Sequence, residues 1–283
     1  MSTNVPSLAK QSLLLEFASL KHASPEGLYV TITPGDPSLW SGVLFVREGP
    51  YKGAVLRFQI SFPNPFPSSP PLITFASDIF HPLLTPLTTY TYTTSTSDTE
   101  TVSATDFERL PPGGFSLRHG FPQWFGRERT VSLELARSPK SDGSSSTFGS
   151  STTTRPLLDV TMHDVLEYMR KAFSSEELLD SIPLSAAANP GAYHAYRAFK
   201  GRDQLSSATQ SRTTSPEPST SRARKPGEWN WEGVWEERVK RGVQSTLSEG
   251  MLYGSAGAGD DVIRFAEMPD EALQKIKARI LKS

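Results

Sequence analysis

The residue types that most often carry enzyme chemistry are few in this chain. Cysteine is absent from all 283 residues, which excludes disulfides, thiolate metal sites and a cysteine nucleophile. No Gly-x-Ser-x-Gly or His-Glu-x-x-His sequence occurs. Four histidines show no metal-ligand spacing: His22, His119, His163 and His194. We therefore expect no metal and no cofactor. The fifth histidine stands in the sequence His81-Pro82-Leu83, where a structural role, bonding the backbone of its own turn, is favoured over a catalytic one.

Tryptophans form a second distinctive group near the C-terminus. Trp229, Trp231 and Trp235 fall within a short charged window. Such side chains are typical anchors for a binding partner. The alternative, which we favour slightly, is that the chain folds back and the rings cover an apolar strip of the domain.

The last helix predicted from the sequence is amphipathic. Pro269 precedes acidic residues at its start, basic residues follow toward its end, and this order suits the helix dipole. Leu273, Ile276 and Ile280 form one apolar face. This face is a candidate partner-binding surface, because such a helix can pack on its own domain or against a coiled coil.

Composition and charge limit the classes of function. The net charge is −1, so no basic footprint for nucleic acid is visible. No run of about 18 apolar residues predicts a transmembrane segment, and residues 1–10 show no signal peptide pattern. We expect a soluble, cytoplasmic protein.

The N-terminal part has the pattern of an α+β domain. Apolar residues predict a helix over residues 8–22, and a first strand follows at 28–32. A β-branched run at 40–46 and strict alternation at 54–62 predict a hairpin. A proline-rich crossing then leads to a short apolar run at 72–75. A helix followed by an antiparallel four-stranded meander is typical of the α+β class with flanking helices.

The remaining sequence suggests three regions. A core domain spans residues 8–202, with two later helices marked by a Thr161–Asp164 capping box and by Asn189-Pro190. Ser, Thr, Gly and Arg dominate an insertion at 127–154 and a linker at 203–228, and we expect both to be disordered. Residues 229–283 form a C-terminal extension.

In this order the elements resemble the ubiquitin-conjugating enzyme fold. The most specific part is residues 40–84. In the catalytic family the turn reads His-Pro-Asn, and a later cysteine carries ubiquitin as a thioester. Here Leu83 replaces the Asn, and the position equivalent to the cysteine falls near Thr91. Leucine cannot stabilise an oxyanion, and a threonine hydroxyl is a poor nucleophile without a base. The sequence therefore predicts a protein without this enzymatic activity.

Among non-catalytic variants, the chain resembles the fused-toes (Akt-interacting protein) family. Its motifs have counterparts at Trp40–Phe45, Phe80–Leu83, Met169–Phe173 (more loosely), Asn189–Tyr196 and Ile263–Lys282. The resemblance implies a scaffold that joins a Hook-type coiled-coil protein and a Hook-interacting protein in an adaptor complex. That complex links endosomal cargo to dynein for transport along microtubules, so the protein would be peripheral on endosomes through its partners.

An alternative function belongs to a different class. Other variants without the cysteine bind ubiquitin and act as cofactors of an active ubiquitin-conjugating enzyme. Those variants are not expected to carry the C-terminal Ile-x-Phe segment and helix.

Overall fold

The computed structural model describes residues 6–64, 66–87, 110–125, 160–210, 231–253, 263, 265 and 268–281. The sheet has strands β1 (Leu28–Thr33), β2 (Asp36–Phe45), β3 (Val55–Ser61) and β4 (Leu72–Phe75). The helices are α1 (Pro6–Ala23), α2 (Met162–Ser174), α3 (Glu176–Ser181), α4 (Pro190–Gln210), α5 (Val234–Thr246), α6 (Glu249–Leu252) and α7 (Asp270–Ile280). Short 3-10 turns lie at Pro122–Trp124 and Leu184–Ala186. The α+β prediction is confirmed.

The sheet is the predicted antiparallel meander, in the order β1-β2-β3-β4. Because side chains alternate across a strand, Leu56, Phe58 and Ile60 share the inner face of β3 and are buried in the core. Val55 and Arg57 lie on the outer face. β4 has the predicted bounds, and β2 begins earlier than predicted, at Asp36.

Helices α1 and α2 cover the inner face of the sheet. The ring of Phe17 meets Trp40 edge to face at 5.3 Å between centroids. Phe173 packs on Phe75 at 5.3 Å. The predicted capping box at Thr161 starts α2, which fixes where the helix begins over the core.

The β2–β3 turn also packs on α2. Gly49 has a positive φ of 78°, which favours glycine. A β-carbon on Gly49 would lie 2.1 Å from the carbonyl oxygen of Ser174, at the end of α2. Glycine therefore lets the hairpin approach this helix.

Helix α4 begins as predicted, because the Asn189 side chain accepts a hydrogen bond from the Ala192 N–H at 3.1 Å. It continues to Gln210. The helix thus extends into residues 203–210, the first part of the segment predicted as a disordered linker, since each residue added to a formed helix gains a hydrogen bond. The rest of the linker, and the insertion at 127–154, lie outside the described residues.

The C-terminal region begins with a helix that the sequence did not predict. Trp235 and Val239 of α5 join the hydrophobic core. The Val55 N–H of β3 donates to the Thr246 hydroxyl at 3.2 Å. Helix α5 therefore packs as part of the core domain, although its residues were assigned to a separate extension.

Candidate functional site

Both nitrogens of the His81 ring take part in hydrogen bonds. The Leu83 N–H donates to Nδ1 at 2.9 Å. Because a backbone N–H can only donate, Nδ1 is the acceptor and the neutral ring carries its proton on Nε2. Nε2 then donates to the Ala172 carbonyl oxygen at 2.9 Å. His81 thus joins its own turn to the C-terminal part of α2.

Burial sets the charge of this ring. His81 is fully buried, and its ring packs 4.7 Å from Phe173 and 5.2 Å from Tyr51. Desolvation disfavours the charged form and lowers the pKa of His81 to about 4, although its bond to Ala172 opposes the shift. The ring is therefore neutral near neutral pH.

The other residues of the turn are fixed as firmly. The Pro82 carbonyl accepts a hydrogen bond from the Asn189 N–H at 3.0 Å, directly before α4. Leu83 is buried in the core, and the Ser116 N–H donates to its carbonyl at 2.8 Å. The turn is thus a junction between α2, α4 and the segment around Ser116.

This arrangement fits a structural role for His81 better than a role in proton transfer. A buried, neutral imidazole with both nitrogens bonded to backbone has no free position for a substrate. Leu83 presents a hydrocarbon where a side-chain amide would be needed to stabilise an oxyanion. Thr91 lies outside the described residues.

Helix α5 covers the residues next to this turn. The Trp235 ring lies 4.8 Å from Tyr196, 5.9 Å from Tyr51 and 6.1 Å from Phe80. The Tyr51 hydroxyl donates to the Phe80 carbonyl at 2.8 Å. The Arg238 guanidinium stands 4.2 Å from the centre of the Phe80 ring, a favourable cation–π distance.

The three candidate tryptophans have different positions. Trp235 is 3% exposed, so in this conformation its ring covers the domain and is not presented to a partner. Trp231 is half-buried and stacks on His194 at 6.0 Å. Trp229 lies outside the described residues.

Helix α7 differs from the buried turn because its apolar side chains face solvent. Leu273 is 38%, Ile276 40% and Ile280 68% exposed. The helix begins directly after Pro269, as the sequence predicted. Among the candidate partner-binding residues that the structure describes, those on this apolar face are the exposed ones.

Two arginines in important contacts were not found from sequence. No sequence pattern marked Arg238, because its contact with Phe80 joins residues that are far apart in the chain. Arg57 alternates with apolar residues in β3, which predicted an outward side chain but not its contacts with residues 252, 263 and 265.

Two kinds of feature are absent from the part of the chain that the structure describes. Within those ranges, no group of three or more acidic or histidine side chains could hold a metal ion. None of the helices there is both long enough and apolar enough to cross a membrane.

Part of the chain is similar to known proteins. Residues 12–88 match the ubiquitin-conjugating enzyme model. A crossbronx homolog of Anopheles gambiae is 46% identical over 81 residues, which are 28% of this chain and 36% of that protein. AKT-interacting protein of Danio rerio is 32% identical over 83 residues, or 29% and 28% of the two chains. Crossbronx of Drosophila mojavensis is 35% identical over 114 residues, or 40% and 37%.

These matches span only about a third of each relative's length. The match to the ubiquitin-conjugating enzyme model includes most of α1, the whole sheet and the His81 turn. The N-terminal part of the chain is therefore similar to ubiquitin-conjugating enzymes and to the crossbronx and AKT-interacting proteins.

Proposed function

We propose that this protein is a catalytically inactive ubiquitin-conjugating-like scaffold. The observation that carries the proposal is the His81 turn, with its neutral, fully bonded ring and buried Leu83. Ubiquitin transfer through a thioester needs a thiolate, and the sequence contains no cysteine. The turn keeps its place in the fold and lacks the groups for that reaction.

The scaffold acts as a subunit of a Hook-type adaptor complex that links endosomal cargo to dynein. The resemblance of the motifs to the fused-toes family supports this assignment. The name of one relative, AKT-interacting protein, likewise describes a protein that binds another protein. The protein is cytoplasmic and associates with endosomes through its partners, a Hook-type coiled-coil protein and a Hook-interacting protein.

Helix α7 is the proposed contact with the coiled coil. Leu273, Ile276 and Ile280 lie within one face of its helical repeat and are exposed. An apolar stripe with this spacing can pack against the seam of a second helix. The basic residues Lys277 and Arg279 border the stripe and favour an acidic partner surface.

The test is a tagged purification from the native host, with the co-purifying proteins identified by mass spectrometry. Wild-type protein should recover a Hook-type coiled-coil protein in stoichiometric amount. Ile276→Glu should reduce recovery sharply, because loss of a hot spot of about 2 kcal/mol weakens binding about 30-fold.

Ala278→Glu is the matched control. It adds the same charge to the same helix at an exposed position away from the apolar stripe, so recovery should be unchanged. Recovery of ubiquitin or an active ubiquitin-conjugating enzyme, in place of a coiled-coil protein, would support the cofactor alternative and overturn the adaptor assignment.

A further inference from the structure

The outer face of the sheet carries an apolar strip with one arginine. Tyr29 pairs with Val43, and Val43 pairs with Arg57. Phe45 pairs with Val55 in the adjoining row. Paired residues point to the same face, and Val43 lies opposite to the core-facing Leu44. These five residues are called the outer strip.

C-terminal residues contact the outer strip at Arg57 and Phe45, whereas Tyr29 at its edge is 58% exposed. Val43 is only 1% exposed, although it does not belong to the cluster that forms the core. The Arg57 Nη1 donates to the Ile263 carbonyl at 2.9 Å. Nη2 donates to the Leu252 carbonyl at 2.9 Å.

Phe265 completes this contact. Its ring lies 4.8 Å from the Arg57 guanidinium carbon. It also meets the Phe45 ring edge to face, at 6.1 Å between centroids and 84° between planes. The strip thus recognises a backbone carbonyl at residue 263 and an aromatic ring two residues later.

The chemistry of this contact is not restricted to one chain. Arg57 binds main-chain oxygens, which every peptide has, and its planar fork fixes their direction. The aromatic contact then selects one side chain. Each of these interactions is weak on its own, so the covalent connection, which supplies a high effective concentration, favours the chain's own segment.

We propose that the outer strip is a docking surface for a peptide that presents a backbone carbonyl two residues before an aromatic side chain, and that Ile263 and Phe265 of this chain occupy it in cis. An external peptide of the same pattern gains the surface only when the internal ligand is displaced. A partner can therefore bind at Arg57 and Phe45 only after Ile263 and Phe265 have left the outer strip.

The test uses the full chain and a fluorescent synthetic peptide with the sequence of residues 260–268. Peptide binding is measured by fluorescence anisotropy. Phe265→Ala removes the internal aromatic ring and should bind the peptide at least about tenfold more tightly than wild type, because the cis competitor is weakened. A peptide with alanine in place of its phenylalanine should not bind.

A double variant, Arg57→Lys with Phe265→Ala, tests whether the peptide binds at the outer strip or elsewhere on the protein. Lysine keeps the charge but loses the planar fork, so the double variant should lose the tighter binding. Circular dichroism and thermal unfolding check that each variant is folded. Equal peptide affinity of wild type and Phe265→Ala, or no binding to either, would overturn the proposal.

Size-exclusion chromatography with light scattering identifies the source of the internal ligand. A monomer is expected. A wild-type dimer that dissociates on Phe265→Ala substitution would show that the segment comes from a second copy, and this would overturn the cis assignment.

Discussion

Burial lowers the pKa of His81, and this shift makes the stability of the folded chain depend on pH. The ring is neutral because its pKa is lowered to about 4 from the ordinary value of 6.5. The unfolded chain therefore binds more protons than the folded chain between these two values. By linkage, this contribution to stability is complete above about pH 6.5 and is lost as the pH falls toward 4.

The size of this effect can be measured. A pKa difference of this size corresponds to a stability change on the order of 3 kcal/mol between about pH 7 and pH 4. Urea unfolding of wild type at a series of pH values should show this decline. In His81→Asn the amide oxygen can still accept from the Leu83 N–H, but no group titrates, so the slope with pH should become shallower.

His119 makes the comparison with the variant necessary. Its pKa is also lowered, chiefly by burial, so it contributes to the same decline in both proteins. The difference between wild type and His81→Asn isolates His81. Parallel pH profiles would show that His81 is not the neutral, buried group described above.

Local chemistry made several single-residue predictions possible. Thr161 and Asp164 are close in sequence, so their capping box is readable before any fold is known. Asn189 before proline predicted the start of α4 for the same reason. Arg57 could not be treated in this way, because its partners are about 200 residues away in sequence.

At the scale of the strand, Gly42 leaves room for the Phe58 ring on the inner face of the sheet. It pairs with Phe58, whose ring lies where a side chain at residue 42 would project. A β-carbon at residue 42 would come within 2.3 Å of that ring. Phe58 is itself buried, so it has little space to move.

Gly42→Ala should therefore lower the free energy of unfolding by about 1–3 kcal/mol, the usual cost of overpacking a core. Chemical denaturation measures the change. Phe58→Leu should recover part of the loss, which a double-mutant cycle would show as coupling between the two sites.

Ser41→Ala is the control next to it. Ser41 points to the outer face, and its buried hydroxyl has no hydrogen-bond partner among the residues described. Its removal should be neutral or slightly stabilising. A similar loss in both variants would indicate a general sensitivity of β2 and not a clash with Phe58.

Helix α5 shows why an element can be missed. Its buried residues are Trp235, Val239, Gly242 and Thr246, which follow helical spacing. Glycine and threonine are poor markers of an apolar face, so the periodicity was hidden. The strands were easier to predict, because alternation in β3 and the bounded run of β4 are carried by strongly apolar residues.

At the scale of the whole molecule, α5 closes the core over the hairpin and α4. Trp235 touches aromatic rings from three separate parts of the chain: Tyr51, Phe80 and Tyr196. Sequence reasoning left open whether this ring was covered or free, because a local pattern does not reveal which distant residues it meets. The described structure places it inside.

Trp235→Ala should lower the free energy of unfolding by about 3–5 kcal/mol, since it leaves a large cavity. Trp231→Ala is the comparison, and its half-buried ring should cost distinctly less. Both are measured by denaturant unfolding, with a single cooperative transition expected for wild type. A Trp235→Ala effect below about 1 kcal/mol would contradict the packing of α5 as part of the core.

The late position of Trp235 in the chain affects folding during synthesis. Tyr51 and Phe80 leave the ribosome long before the residue that covers them. At about 5–20 residues per second, the delay between Phe80 and Trp235 is on the order of ten seconds. During that interval the nascent sheet exposes an aromatic surface to solvent, where a chaperone can bind it until α5 is made.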